Sequence, residues 1–113
     1  MLPKKHRISR KEFSSVLTKS LLRHSNLFSL RVGALSPDKA PHLAVVVSKK
    51  VSSTAAGRNL LKRRSRDIFQ KLIPRLKPGT AYILFFKKEA ASLSFSKLKE
   101  GIEALFTTHG KLS

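Results

Sequence analysis

At 113 residues the chain suits one domain, and its 41% hydrophobic content supplies one core with little left for a second. It carries 24 Lys and Arg against 6 Asp and Glu, a net charge of +18, and no cysteine. The missing thiols exclude disulfides and thiolate metal sites, and a reducing, cytoplasmic setting is expected. The scarcity of acids argues against a carboxylate-built catalytic centre. Self-repulsion on this scale opposes compaction unless a polyanion screens it, which points to nucleic acid.

Residues 1–8 read as a flexible basic arm. No apolar run follows MLPKKHRISR, so no secretory signal is expected. Helix signals begin at Ser9, which with Glu12 fits the S-x-x-E capping box, while Ile8 and Phe13 occupy the positions of a hydrophobic staple. Phe13, Val16 and Leu17 share a face that Leu21 continues, and the polar stretch Arg23 to Asn26 suggests the end. A helix this short is marginal alone, so its apolar face must dock. Leu27 to Leu35 alternates as a half-buried strand does, with Phe28, Leu30 and Val32 on one side. Ser36 to Pro41 is turn chemistry with two prolines. His42 to Ser48 is a second strand, for which an antiparallel hairpin with the first is the simplest link. Its run Val45 to Val47 suggests an inner strand covered on both faces.

Val51 to Gly57 forms a connector in which Ser52, Ser53 and Thr54 each offer a cap, and Gly57 leaves the first turn of the next helix open. From Arg58 the helical period is plain. Leu61, Ser65, Ile68 and Leu72, flanked by Phe69 and Ile73, form the core-facing stripe. Asn59, Lys62, Arg63, Arg66 and Gln70 fall on a neighbouring arc and make a basic ridge. Pro74 and Pro78-Gly79 stop the helix. Thr80 to Phe86 is the most buried-looking strand, and its apolar run is too short to cross a bilayer. Ser94 is placed to cap a last helix in which Phe95, Leu98, Ile102, Leu105 and Phe106 keep helical spacing. Gly101 weakens that helix by up to about 1 kcal/mol relative to Ala, and Gly110 is its expected stop. The order helix, strand, strand, helix, strand, helix, with room for one more short strand, predicts a single α+β domain over residues 1–113. Its form is an α-β sandwich with about three helices on a mostly antiparallel or mixed central sheet.

No catalytic constellation emerges. Glu12 serves as a cap, Asp67 sits among arginines, and Glu100 and Glu103 lie on an ordinary amphipathic helix, where surface charge is the default over metal ligation. His6, His24, His42 and His109 are scattered, with no metal-ligand spacing and no local pair of imidazoles. A G-x-S-x-G elbow, a P-loop and a G-x-G-x-x-G are all absent from the sequence. Neither a catalytic residue nor a metal ligand is assigned, so any chemistry is expected from another molecule. Composition alone points to a nucleic-acid-binding protein and equally permits a small ribosomal or RNA-chaperone protein with a structural role. A DNA-binding regulator would need a helix-turn-helix or dimer signal, and the sequence offers neither.

Ser48-Lys49-Lys50-Val51, then Arg58-Asn59-Leu60-Leu61-Lys62-Arg63-Arg64-Ser65-Arg66-Asp67, resembles the S-K-K-V and R-N-x-x-K-R-x-x-R-[DE] signature of the bacterial ribonuclease P protein subunit. The likeness extends over nearly the whole chain, through Glu12-Phe13 with Val16-Leu17 near the start and Tyr82, Lys87, Ala90, Leu93 and Leu98 toward the end. The resemblance implies a fold like domain 2 of ribosomal protein S5, with a left-handed βαβ crossover, an exception to the usual handedness. It implies a non-catalytic protein subunit of an endoribonuclease whose catalytic RNA, with Mg2+ bound mainly by that RNA, removes the 5′ leader from precursor tRNA. Its implied partners are that catalytic RNA and precursor tRNA, with no membrane and no further protein required. Arg58, Asn59, Lys62, Arg63 and Arg66 would contact the catalytic RNA. Phe13, Leu17, Phe28, Arg31, Ser48 and Lys49 would line a leader cleft between the first helix and the sheet.

Three positions depart from the family pattern. Leu60 replaces the second arginine of the usual R-N-R and is expected to point to solvent. Leu17 and Arg31 stand where many members carry aromatic residues. Stacking there would fall to the Arg31 guanidinium, with Leu17 giving only an apolar contact.

Overall fold

In the computed structural model, which describes residues 3–108, the chain folds as α1 (Arg10–Thr18), β1 (Leu21–His24), β2 (Phe28–Ala34), β3 (His42–Val46), α2 (Ala55–Leu72), β4 (Thr80–Phe86) and α3 (Phe95–Thr108). Short 3-10 turns occupy Lys4–His6, Ile73–Arg75 and Lys88–Ala90. The expected stop at Gly110 lies outside the described residues.

Each helix starts where its cap predicts. The Ser9 hydroxyl accepts the Glu12 N–H at 3.2 Å while the Glu12 carboxylate accepts the Ser9 N–H at 2.9 Å, closing the capping box of α1. Of the three candidates before α2, Thr54 is the cap, its hydroxyl accepting the Gly57 N–H at 3.0 Å. A Cβ on Gly57 would stand 2.3 Å from the Ser52 hydroxyl and 2.9 Å from that of Thr54, so only glycine lets both fold over the helix start. The helix therefore begins at Ala55, ahead of its visible period. Ser94 caps α3 through the Lys97 N–H at 3.3 Å.

The sheet runs in the order β1-β2-β4-β3. β2 lies antiparallel to both β1 and β4, and β3 lies parallel to β4, the two being joined through α2. It is a mixed open sheet in a single α+β domain, as expected. On one face α2 and α3 bury Phe28, Leu30 and Val32 of β2 and Tyr82, Leu84 and Phe86 of β4 against Leu61, Ile68, Phe69, Leu72, Leu98, Ile102, Leu105 and Phe106. The Ser65 hydroxyl, fully buried in the α2 stripe, donates to the Leu61 carbonyl at 2.9 Å and so stays satisfied. The other face holds a smaller cluster in which α1 places Val16 over Ala81 and Ile83, with the staple residues Ile8 and Phe13 packed beside them.

Five expectations need correction. The first helix ends at Thr18, not near Arg23: the Thr18 hydroxyl turns back onto the Ser14 and Ser15 carbonyls, Lys19 leaves helical φ, and Leu21–His24 pairs with β2 as an edge strand. Leu17 and Leu21 mimicked a helical period only because a strand happens to begin four residues on. Second, β2 and β3 do not form a hairpin, because β4 lies between them. The Gly79 N–H donates to the Lys39 carbonyl at 2.7 Å and the Leu35 N–H to the Gly79 carbonyl at 2.8 Å, stitching the lead-in to β4 into the loop that links β2 and β3. The apolar Thr80–Phe86 run takes the interior place.

Third, β3 is an edge strand rather than an inner one, with Val45 and Val46 half-buried. Fourth, the basic arm is anchored at His6, although Lys4, Lys5 and Arg7 are exposed. His6 is buried and its Nδ1–H donates to the Pro41 carbonyl at 2.8 Å, and Arg7 bridges Leu43 in parallel. This segment covers part of the β3 edge, one of the ways sheets protect an unpaired edge. Fifth, Phe95 is 40% exposed in the first turn of α3, outside the buried stripe its spacing suggested.

Candidate nucleic-acid interface

Strand register decides which side chains share the α1 side of the sheet. Residues opposite one another in adjacent strands point to the same face. Three rows result: Gly33, Ala81 and His42; Leu22, Arg31, Ile83 and Ala44; and His24, Ser29, Phe85 and Val46. α1 rests on the first row. An ideal Cβ on Gly33 would lie 2.9 Å from Val16 Cγ2 and 3.2 Å from Cγ1, so glycine is what lets the helix sit this close. Away from that contact the face stays partly open. Arg31, Ser29, Phe85, Ala44 and Val46 are half-buried, His24 is exposed, and Leu22 is 50% exposed at the β1 edge. From α1, Phe13 is half-buried and Leu17 is 39% exposed. Together these make a shallow groove with an apolar and aromatic floor and a cation, Arg31, set into it.

Phe13 and Leu17 come from the helix that lies on the side of the sheet to which Arg31 points. Ser48 and Lys49, both exposed, follow the end of β3, where the Ser48 carbonyl accepts the Val51 and Ser52 N–H groups at 3.1 and 3.2 Å. Val46 faces the groove side and Val47 is buried in the core, so the chain leaves the sheet just before Ser48. Phe28 is a correction: it points to the opposite face, is fully buried, and meets the Phe86 ring edge-on with centroids 5.0 Å apart. Phe85 and Val46 were missed. Alternation along TAYILFF sets Phe85 apart from Tyr82, Leu84 and Phe86, but only the register shows that no helix seals it.

Beyond the groove, α2 begins and carries the basic ridge. Asn59 and Arg63 are exposed, and Lys62 and Arg66 are half-exposed. Arg58 is partly held back, its Nη1 donating to the Ser52 carbonyl at 2.9 Å. Among the described residues no acidic side chain pairs with Lys62, Arg63, Arg64 or Arg66. Leu60 is 36% exposed, as expected.

Glu12 has a second set of contacts besides the cap. His42 donates from Nδ1 to Glu12 Oε1 at 3.0 Å, and Lys39 Nζ lies 3.3 Å from Oε2. A carboxylate can only accept, so His42 Nδ1 carries the proton. Burial alone would push the Glu12 carboxyl up; the Ser9 N–H, His42 and Lys39 more than reverse this and hold it at about 2. Among the described residues no three His, Cys, Asp or Glu side chains gather as a metal-binding group. No described helix is long and apolar enough to cross a membrane.

A family model described as Ribonuclease P matches residues 2–110. The ribonuclease P protein component of Pseudanabaena sp. is 32% identical over 104 residues, covering 91% of this chain and 90% of its own. That of Trichormus variabilis is 34% identical over 113 residues, covering 80% and 79%. Among solved structures, the RNase P protein of Staphylococcus aureus superposes with a TM-score of 0.86 at 18% identity, over 96% of this chain and 98% of that one. The RNase P protein of Thermotoga maritima gives 0.77 at 22% identity, over 88% and 94%. The solved structures share the fold, and the family model over residues 2–110 with the identity to these relatives shows that the chain belongs to the ribonuclease P protein component family.

Proposed function

We propose that this chain is the protein cofactor of a ribonuclease P ribonucleoprotein in the cytoplasm. It binds a catalytic RNA through α2 and the 5′ leader of precursor tRNA in the groove under α1. Arg58, Asn59, Lys62, Arg63 and Arg66 face the catalytic RNA. Phe13, Leu17, Arg31, Ser48 and Lys49, together with Phe85 and Val46, form the leader site, from which Phe28 is excluded. A single-stranded leader suits this groove because bases stack on exposed aromatic and guanidinium planes without needing a particular sequence. Mg2+ is held mainly by the RNA, which carries out the hydrolysis; the polypeptide supplies cations and a shaped surface.

The observation that carries this reading is the pairing of an open aromatic groove with a helix whose ridge cations Lys62, Arg63 and Arg66 have no acidic partner among the described residues. At a net +18 such cations gain most by releasing counterions from a polyanion. Family membership favours this reading over a ribosomal or chaperone role. The test is precursor cleavage at low Mg2+ with catalytic RNA alone, with protein alone, and with both. Stimulation only in the mixture is expected. Leader removal by the protein with RNA rigorously absent would overturn the assignment of the chemistry.

A further inference from the structure

We propose that Glu12 is a positioning residue for the groove: it clips the start of α1 to His42 and Lys39, setting the pose of Phe13 and Leu17 above the floor. The inference rests on the leader-groove reading but makes a separate claim about what holds α1.

α1 has nine residues, too few to be stable by itself. It contributes only one fully buried side chain, Val16, seated on Gly33. Its other apolar contact with the sheet, Phe13, is only half-buried, so the helix can still rock about Val16. A second fixed point is needed to define its axis, and Glu12 supplies one a single turn away, about 6 Å along the helix. There one carboxylate joins three segments: it accepts the Ser9 N–H of its own cap, His42 Nδ1–H at the start of β3, and Lys39 from the loop before it. The side chains of His42 and Glu12 are 13% and 17% exposed, so solvent screening of that contact is limited. The carboxyl is held at about 2, which keeps it an acceptor throughout the neutral range. Phe13 is adjacent to the clip and Leu17 adjacent to the Val16 knob, so both groove residues inherit their height from these two anchors. The capping role alone explains neither His42 nor Lys39, since the box is complete with Ser9.

Glu12→Gln keeps side-chain length and the S-x-x-Q capping box while removing the charge. His42→Ala breaks the clip from the other side without touching α1. In holoenzyme reconstituted with catalytic RNA, each is expected to weaken binding of leader-bearing precursor tRNA by about fivefold relative to mature tRNA, with assembly onto the catalytic RNA unchanged. The double variant should be no worse than the weaker single, because both remove one connection. Equal loss for both tRNAs, or additive losses, would reduce Glu12 to a stabilising cap and overturn the proposal. Because the chain has no cysteine, Ser15→Cys and Lys88→Cys accept spin labels that report on α1 directly. The interlabel distance distribution should broaden in Glu12→Gln; an unchanged distribution overturns the clip whatever the tRNA does. Wild-type holoenzyme with no preference for leader-bearing substrate would sink the groove reading alone, and the label distances would still judge the clip.

Discussion

On the α2 and α3 side of the sheet, β2 and β4 place Phe28, Leu30, Val32, Tyr82, Leu84 and Phe86, none more than 7% exposed. On the other side the same two strands place Ser29, Arg31, Gly33, Ala81, Ile83 and Phe85, with the short α1 and the neighbouring Ile8 and Leu35 packed on part of them. One face is closed by two helices of 18 and 14 residues, the other half-covered by one of 9. Closed core and partly open surface are thus divided between alternate residues of the same strands. A phenylalanine on the first face is packing; one on the second is surface presented at a fixed height.

Swapping the same atoms out of each face tests this most strongly. Phe28→Ala should cost about 3–5 kcal/mol of unfolding free energy, because it empties a fully enclosed site against Phe86. Phe85→Ala should cost far less stability, yet lower leader affinity by about 1–3 kcal/mol for the base it stacks. Urea unfolding and precursor tRNA binding read the two quantities separately. Comparable destabilisation by both would erase the distinction between the faces. The next largest effect is at the seam. Gly33→Ala forces a methyl against the stiff, β-branched Val16 and should cost about 1–3 kcal/mol. A Val16→Ala background should absorb much of that cost, which a double-mutant cycle would report as coupling. Independent, additive effects would mean that α1 does not rest where the register puts it.

Much of this was legible from local signals, and the failures share one cause. The caps at Ser9, Thr54 and Ser94, the α2 stripe through Leu61, Ser65, Ile68 and Leu72, and the β2 face of Phe28, Leu30 and Val32 all follow from interactions within a few residues. What was misread depends on partners far away in sequence. β3 and β2 are neighbours in the chain but not in the sheet, because β4 intervenes. The same apolar run at Val45 to Val47 fits an inner strand or an edge strand whose two sides meet α2 and the α1 cluster. The resemblance puts Phe28 in the groove, while its own strand phase puts it with Leu30 and Val32, where it is buried. Phe85 was overlooked because nothing in TAYILFF tells which face a helix leaves open.

The ridge lies outside both faces and should respond to neither kind of change. Lys62→Ala and Arg66→Ala should each reduce the slope of log affinity against log salt by about 1 with the catalytic RNA, leaving unfolding within about 0.5 kcal/mol of wild type. A salt slope untouched by both would take these cations out of the interface.

The smallest effect concerns how the half-covered face is held. The Glu12 carboxyl moves from an ordinary value of 4.5 to about 2 on folding, because Ser9, His42 and Lys39 outweigh its partial burial. A carboxyl depressed in the folded chain takes up its proton more readily in the unfolded one. Its contribution is therefore complete above pH 4.5 and is lost as pH falls from 4.5 toward 2. Since Glu12 touches α1, β3 and the loop before β3 but neither α2 nor α3, the acid limb should open one region first. Amide exchange near pH 3 should accelerate in α1 while α2 and α3 stay protected, and Glu12→Gln should flatten the acid limb of stability. Simultaneous loss of protection in all three helices would show that the α1 face has no separate hold and unfolds only with the core.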